Sequence, residues 1–119
     1  MYRNLRMVYV TTKDKSEARS IAKTLIAEQL AACANILDGM ESIYKWKGKI
    51  VEGQECVLIL KTPYHNLPRI TDRVKELHSY EVPCVISLTM TEQEGNEKYL
   101  DWIEQEAPHS LTEIRSAKK

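Results

Sequence analysis

Apolar residues along this chain change their period several times, and each change marks a new element. Met7–Thr12 is β-branched and aromatic, as a short strand requires. Asp14-Lys15-Ser16-Glu17 then has capping-box form, with the Asp14 carboxylate offered to free amides and Glu17 reaching back. Ala18, Ile21, Ala22, Leu25 and Ile26 recur at three- and four-residue spacing. This predicts a helix to about Gln29, with Arg19, Lys23 and Glu28 facing water.

Two apolar-rich runs follow, Ala31–Trp46 and Ile50–Thr62, joined by the basic turn Lys47-Gly48-Lys49. Together they predict one very long β-hairpin, with Asp38-Gly39 as a bulge or bend in its first arm. Fully extended at ~3.3 Å per residue, the first arm would reach roughly 50 Å, against a radius of gyration of ~13–14 Å for a compact chain of this length. Such a ribbon must protrude and expose Ile43, Tyr44, Trp46, Ile50 and Val51, a pattern that subunit interfaces use and monomers avoid. Tyr44, Trp46 and Ile50, with Trp102 as a further large apolar anchor, are therefore the candidate interface residues.

Within the second arm, Cys56–Leu60 is continuously apolar, which predicts a central strand covered on both faces. Asn66 is the expected N-cap of a second helix, with Pro68 in its first turn, Leu67, Ile70, Val74 and Leu77 on one face and an end near Ser79. Pro83 pushes Val82 toward extended geometry, and Cys84–Leu88 predicts another strand. Gly95-Asn96 opens a last helix with Leu100, Ile103 and Ala107 inward, and Pro108 prevents its extension. Residues 1–109 thus form one domain, and 110–119 lack apolar periodicity and are expected to be a frayed polar tail. The order β-α-β-β-α-β plus a terminal helix is an α+β, ferredoxin-like arrangement with two helices on one sheet face. The other face then needs cover from the extra helix or another subunit.

Composition narrows the function classes. The 119 residues are 43% hydrophobic and 29% charged, with 17 basic and 17 acidic residues, so no dominant nucleic-acid partner is expected. No run of ~18 apolar residues or signal h-region is present, which predicts no membrane partner and no export. Cys33, Cys56 and Cys84 are odd in number and lack CxxC spacing, suiting reduced thiols in a cytoplasmic protein. An RNA-recognition sheet needs strand aromatics in a basic setting, but the chain has no Phe. Its four glycines are scattered and make no phosphate cradle, and no Ser-His or Cys-His spacing indicates an enzyme.

The segment Leu77-His78-Ser79-Tyr80-Glu81-Val82-Pro83-Cys84 concentrates an imidazole, a phenol, a carboxylate and a thiol at a helix-to-strand turn. Ligands of mixed softness there suit a transition metal, with His78 and Cys84 as the main candidates and Glu81 as a weaker one. Two ligands leave a tetrahedral site incomplete, so a further donor such as Cys33 or a residue of a neighbouring copy would be required. The other reading of the same residues is structural. His78 and Tyr80 then bond the turn, Glu81 is solvated and Cys84 is a small core hydrophobe.

The segments Val8–Thr12, Leu30–Ile36, Ser42–Ile50, Leu60–Thr62, His78-x-Tyr80-Glu81-Val82-Pro83 and Tyr99–Ile103 resemble, in order, the CutA family of divalent-cation tolerance proteins. The resemblance covers about Met7 to Ile103 and implies a ferredoxin-like protomer in a homotrimer. It also implies a non-enzymatic role in tolerance to copper and other divalent metals, with no tightly bound cofactor. Two departures stand out: Ser79 where the family usually has proline, and Cys84 where many members carry glutamate. A thiolate favours Cu(I) or zinc over harder ions. The likeness of such trimers to PII signalling proteins leaves an alternative: a regulator binding a small anion or metabolite between subunits near Lys61, His78, Tyr80 and Trp46.

Overall fold

The computed structural model describes residues 3–91 and 94–108. The elements run β1 (Leu5–Thr12), α1 (Lys15–Ala27), β2 (Cys33–Trp46), β3 (Lys49–Pro63), α2 (Leu67–Leu77), β4 (Val85–Thr89) and α3 (Glu97–Glu106). The four strands form one antiparallel sheet in the order β2-β3-β1-β4. This is the expected split arrangement, with β3 and β1 central. The expected tail, 110–119, lies outside the described residues.

Capping chemistry starts α1. Asp14 Oδ1 accepts from the Glu17 amide at 2.8 Å, while Glu17 Oε1 accepts from Lys13 N at 3.2 Å, one residue earlier than in the usual reciprocal box. The helix closes at Gln29, which takes the left-handed φ of 60°. The apolar stripe Ala18, Ile21, Ala22 and Leu25 packs against Val8, Val10, Cys56, Leu58 and Leu60, with Ile70 and Val74 from α2 completing the core. Full burial of the Val, Leu and Ile side chains among them contributes about 1.5–3 kcal/mol each by transfer from water.

The hairpin is as long as the sequence predicts. Its turn is tighter, however: Trp46 pairs with Lys49, leaving only Lys47 and Gly48 between the arms, at φ 49° and 80°. Two consecutive left-handed residues match the twist of a two-stranded ribbon, and Lys47 holds a conformation that glycine or asparagine adopts more cheaply. Pairing with β1 ends at Cys56, so residues 40–55 project beyond the sheet as a two-stranded ribbon, touched at its base by Tyr9 and Tyr80. The long axis reaches 50 Å and the radius of gyration 15.5 Å, above the ~13–14 Å of a compact chain.

Asp38-Gly39 does form a bulge. Leu37 faces Val57 but the next pair is Met40 with Glu55, so β2 carries one residue more than β3. Gly39 takes φ 81° and its amide donates to Asp38 Oδ1.

Asn66 corrects an expectation. It makes no capping bond and instead ends a 3-10 turn, Tyr64–Asn66, fully buried. Its Nδ2 donates to Thr62 Oγ1 and to the Ala107 carbonyl, each at 3.2 Å, so it joins β3 to the end of α3. These two bonds orient the carboxamide so that Oδ1, the atom a cap would use, accepts from no helix amide.

The second sheet face is only partly covered. α3, opened by Asn96 accepting from Lys98 N, packs Leu100, Ile103 and Ala107 against Leu5 and Ala32 at one end. Arg3 holds it there through ion pairs with Glu97 and Asp101. Toward the other end Leu37, Ile86 and Leu88 remain 61%, 52% and 52% exposed. Cys56, Leu58 and Leu60 are buried, but Ile59 on this face is only half buried, so cover from within the chain is incomplete.

Candidate functional site

The turn between α2 and β4 is fixed by groups brought from distant parts of the chain. His78 is enclosed: its Nδ1 accepts from Tyr80 N at 3.0 Å, so the ring proton sits on Nε2 and is donated to the Thr11 carbonyl at 2.7 Å. Glu17 at the start of α1 reaches across and accepts from Ser79 N at 2.7 Å, with its carboxylate 4.0 Å from His78 Nδ1. Burial opposes the Glu17 carboxylate, yet hydrogen bonds from Ser79 and Lys13 hold its pKa below the ordinary value.

Tyr80 leaves this turn over the projecting hairpin. Its hydroxyl donates to Glu55 Oε2 at 2.7 Å, and its ring lies 4.7 Å from the His78 ring, centroid to centroid. Burial and the Glu55 hydrogen bond both push the phenol pKa up, so Tyr80 remains a donor through the physiological range. Between this turn and the ribbon runs a groove of about 750 Å³, lined by Thr11, Tyr44, Trp46, Glu55, Tyr80 and Cys84 among others. Glu41, Ser42, Ile43, Lys47, Glu81 and Val82 complete its lining. Burial raises the Cys84 thiol, so it is a protonated, weakly nucleophilic group.

The structure thus brings Trp46, Tyr80, Glu81 and Cys84 to one groove. His78 stands behind it with both nitrogens engaged, which leaves no lone pair for a metal within this arrangement. Cys33 and Lys61 belong elsewhere. Lys61 lies twelve positions from Lys49 at the hairpin tip, roughly 40 Å along an extended strand. There Lys61 Nζ donates to the Tyr99 hydroxyl at 3.0 Å, and Tyr99 in turn meets Cys33 Sγ at 3.9 Å and the Trp102 ring at a centroid distance of 5.6 Å. The Tyr99 hydrogen bond raises the Lys61 pKa and keeps the ammonium charged. Among the described residues, no three His, Cys, Asp or Glu side chains are placed to hold a metal ion together. The candidate interface residues all lie at the surface of the single chain, Ile50 at 75% exposure and Tyr44, Trp46 and Trp102 about half that or more.

Glu17, Glu55, Thr11 and Tyr99 escape sequence reasoning as site residues. Glu17 carries a local signal through its cap, but its second oxygen serves a residue 62 positions away. Glu55 meets Tyr80 only because the ribbon curls beside the turn.

The model of CutA1, the divalent ion tolerance protein family, matches residues 6–106. The chain belongs to this family. It is 47% identical over 97 residues to the divalent-cation tolerance protein CutA of Thermus thermophilus, a match covering 82% of this chain and 92% of the relative. It is 41% identical to the chloroplastic CutA protein of Arabidopsis thaliana, but there the match spans 82% of this chain and only 52% of the longer relative. Among solved structures, CutA1 from Oryza sativa superposes with a TM-score of 0.86 at 41% identity, covering 91% of this chain and 97% of that one. The Archaeoglobus fulgidus protein, described as periplasmic, gives 0.82 at 35% identity, covering 87% and 99%.

These names correct the cytoplasmic expectation. Relatives are chloroplastic or described as periplasmic, and cysteines free of CxxC spacing do not identify one compartment. Among the described residues no helix is long and apolar enough to cross a membrane.

Proposed function

We propose that the chain works as a homotrimer in tolerance to copper or other divalent metal ions, binding the ion through donors that adjoining copies complete. Family membership supports the tolerance role, and one structural observation supports the assembly. The sheet face carrying Leu37, Ile86 and Leu88 and the ribbon carrying Ile43 and Ile50 leave large apolar side chains in water, which a second copy would bury. Cys84 and Glu81 share the groove, and two donors leave a tetrahedral ion unsatisfied, so a neighbour's donor is part of the proposal. No catalytic step is assigned.

Native mass spectrometry of protein purified without chelator, with elemental analysis, tests this. The expected mass is three times 13.7 kDa with copper or zinc retained. Cys84→Ser should weaken Cu(I) or Zn(II) affinity at least tenfold, about 1.4 kcal/mol, without dissociating the copies. A stable monomer, or equal affinity in chelator competition, would remove the proposal.

The second reading, a regulator binding a small metabolite between copies, draws support from the aromatic lining of the groove. An anion there would need cations from a neighbour, because this chain contributes mainly carboxylates.

A further inference from the structure

The main core and the packing under α3 are separate. Val8, Val10, Leu58, Leu60 and the buried stripes of α1 and α2 form one apolar cluster, whereas α3 sets only Leu100, Ile103 and Ala107 on Leu5 and Ala32, with Met90 at the margin. Little apolar surface therefore holds α3. Its polar attachments among the described residues come from three other places in the chain: Arg3 ahead of β1, Lys61 in β3 and Asn66 ahead of α2. All of these contacts lie within one copy.

Arg3 makes the charged attachment. Glu97 and Asp101 stand four residues apart and so on one flank of the helix, where one terminal nitrogen of the guanidinium takes Glu97 Oε1 at 2.9 Å and the other takes Asp101 Oδ1. The two sides of these pairs differ in exposure. The Arg3 side chain is 6% exposed, against 72% for Glu97 and 51% for Asp101. Dissolved ions reach such carboxylates and at about 0.5 M shorten the range of charge to on the order of 4 Å. A nearly buried cation that loses both partners is costly to keep in place.

Release would be all-or-none. α3 has 10 residues, fewer than the ~12–15 that a good sequence needs to stay helical alone in water, so the helix is lost once its attachments fail. By contrast, α1 sends Ala18, Ile21, Ala22 and Leu25 into the main cluster and does not depend on Arg3. Tyr99 would leave with α3, taking its hydroxyl off Lys61 Nζ, and Leu5 and Ala32 would lose their cover.

We propose that α3 is an ion-pair latch: a unit that opens and closes on an otherwise folded chain, held shut by Arg3 with Glu97 and Asp101, and uncovering Lys61, Leu5 and Ala32 when open. The latch is a conformational device of the fold and does not rest on metal binding.

Hydrogen–deuterium exchange followed by mass spectrometry, on the full chain in its native assembly, tests it. Protection factors for residues 100–106 should lie at least tenfold below those for residues 21–25 in α1. Arg3→Gln should lower protection of 100–106 a further tenfold or more and leave 21–25 unchanged. Raising NaCl from about 0.05 M to about 0.5 M should lower protection of 100–106 at least threefold in the unmodified protein and leave it unchanged in Arg3→Gln. Should Arg3→Gln not fold, Glu97→Gln and Asp101→Asn, both at exposed positions, carry the test singly, each lowering protection of 100–106 at least threefold.

Three results would overturn the proposal. One is equal protection in 100–106 and 21–25. Another is loss of protection in both regions together in the variants, which would make Arg3 a support of the whole fold. The third is protection of 100–106 that does not respond to salt in the unmodified protein, which would mean that packing or a neighbouring copy holds α3 and the ion pairs do not.

Discussion

The Tyr80 hydroxyl donates to Glu55 Oε2 over 2.7 Å, joining the turn after α2 to the ribbon just beyond its last contact with β1. Tyr80→Phe leaves a half-buried carboxylate without its donor and should cost about 1–2 kcal/mol in urea unfolding. Glu55→Gln keeps an acceptor in place and should cost less than ~1 kcal/mol. Equal losses in the two variants would show that the bond contributes nothing to holding the turn.

Glu17 ties acid stability to the same turn. Its folded pKa lies below the ordinary 4.5, so its contribution is fully present above 4.5 and is lost as pH falls through the folded value. Glu17→Gln should therefore destabilise the protein near neutrality and flatten the decline below pH 4.5. Melting temperature against pH, for both proteins, checks this. Parallel curves would mean that the carboxylate charge is irrelevant to the turn.

The hairpin turn offers a stabilising change. Lys47 at φ 49° pays the left-handed penalty that asparagine pays less of, so Lys47→Asn should gain up to ~1 kcal/mol. Gly48→Val, at φ 80°, should lose about 1–2 kcal/mol. Chemical denaturation of the two variants should move the midpoint in opposite directions.

Self-association can be tested on side chains that the single chain does not need. Ile86→Glu with Leu88→Glu alters residues that are each 52% exposed, so the monomer fold should persist by circular dichroism. Light scattering should meanwhile fall from three times 13.7 kDa to 13.7 kDa. Unchanged mass in that variant would place the contact elsewhere.

In the core, Leu58→Ala should cost about 2–5 kcal/mol, since Leu58 is fully buried between β1 and both helices.

Element order, the hairpin and its bulge were legible because each rests on local periodicity or on one turn residue. The groove was legible only in part. Tyr80, Glu81 and Cys84 announce themselves by crowding into one short segment, and Trp46 by its place on the ribbon. Whether His78 is a ligand or a brace depends on the Thr11 carbonyl, 67 residues away, and on an amide two residues on, which no spacing reveals. Asn66 misleads for a related reason. Its sequence context is that of a cap, but the end of α3 arrives beside it, binds its Nδ2 and so turns its Oδ1 off the helix amides.

The extra residue at Asp38-Gly39 decides which chemistry the ribbon presents. Before it, the odd-numbered residues Cys33, Asn35 and Leu37 share a face with Val57, Ile59 and Lys61; after it, the even-numbered Met40, Ser42, Tyr44 and Trp46 share that same face with Glu55 and Val51. Were the bulge ironed out, with Asp38 and Gly39 each taking a ladder position, simple alternation would transpose the two sides of the distal arm, setting Ile43 and Lys45 where Tyr44 and Trp46 now stand. A single backbone unit thus works as a parity switch: the ribbon's composition would be untouched, but its aromatic side would turn away from Glu55 and the groove would lose two of its three rings.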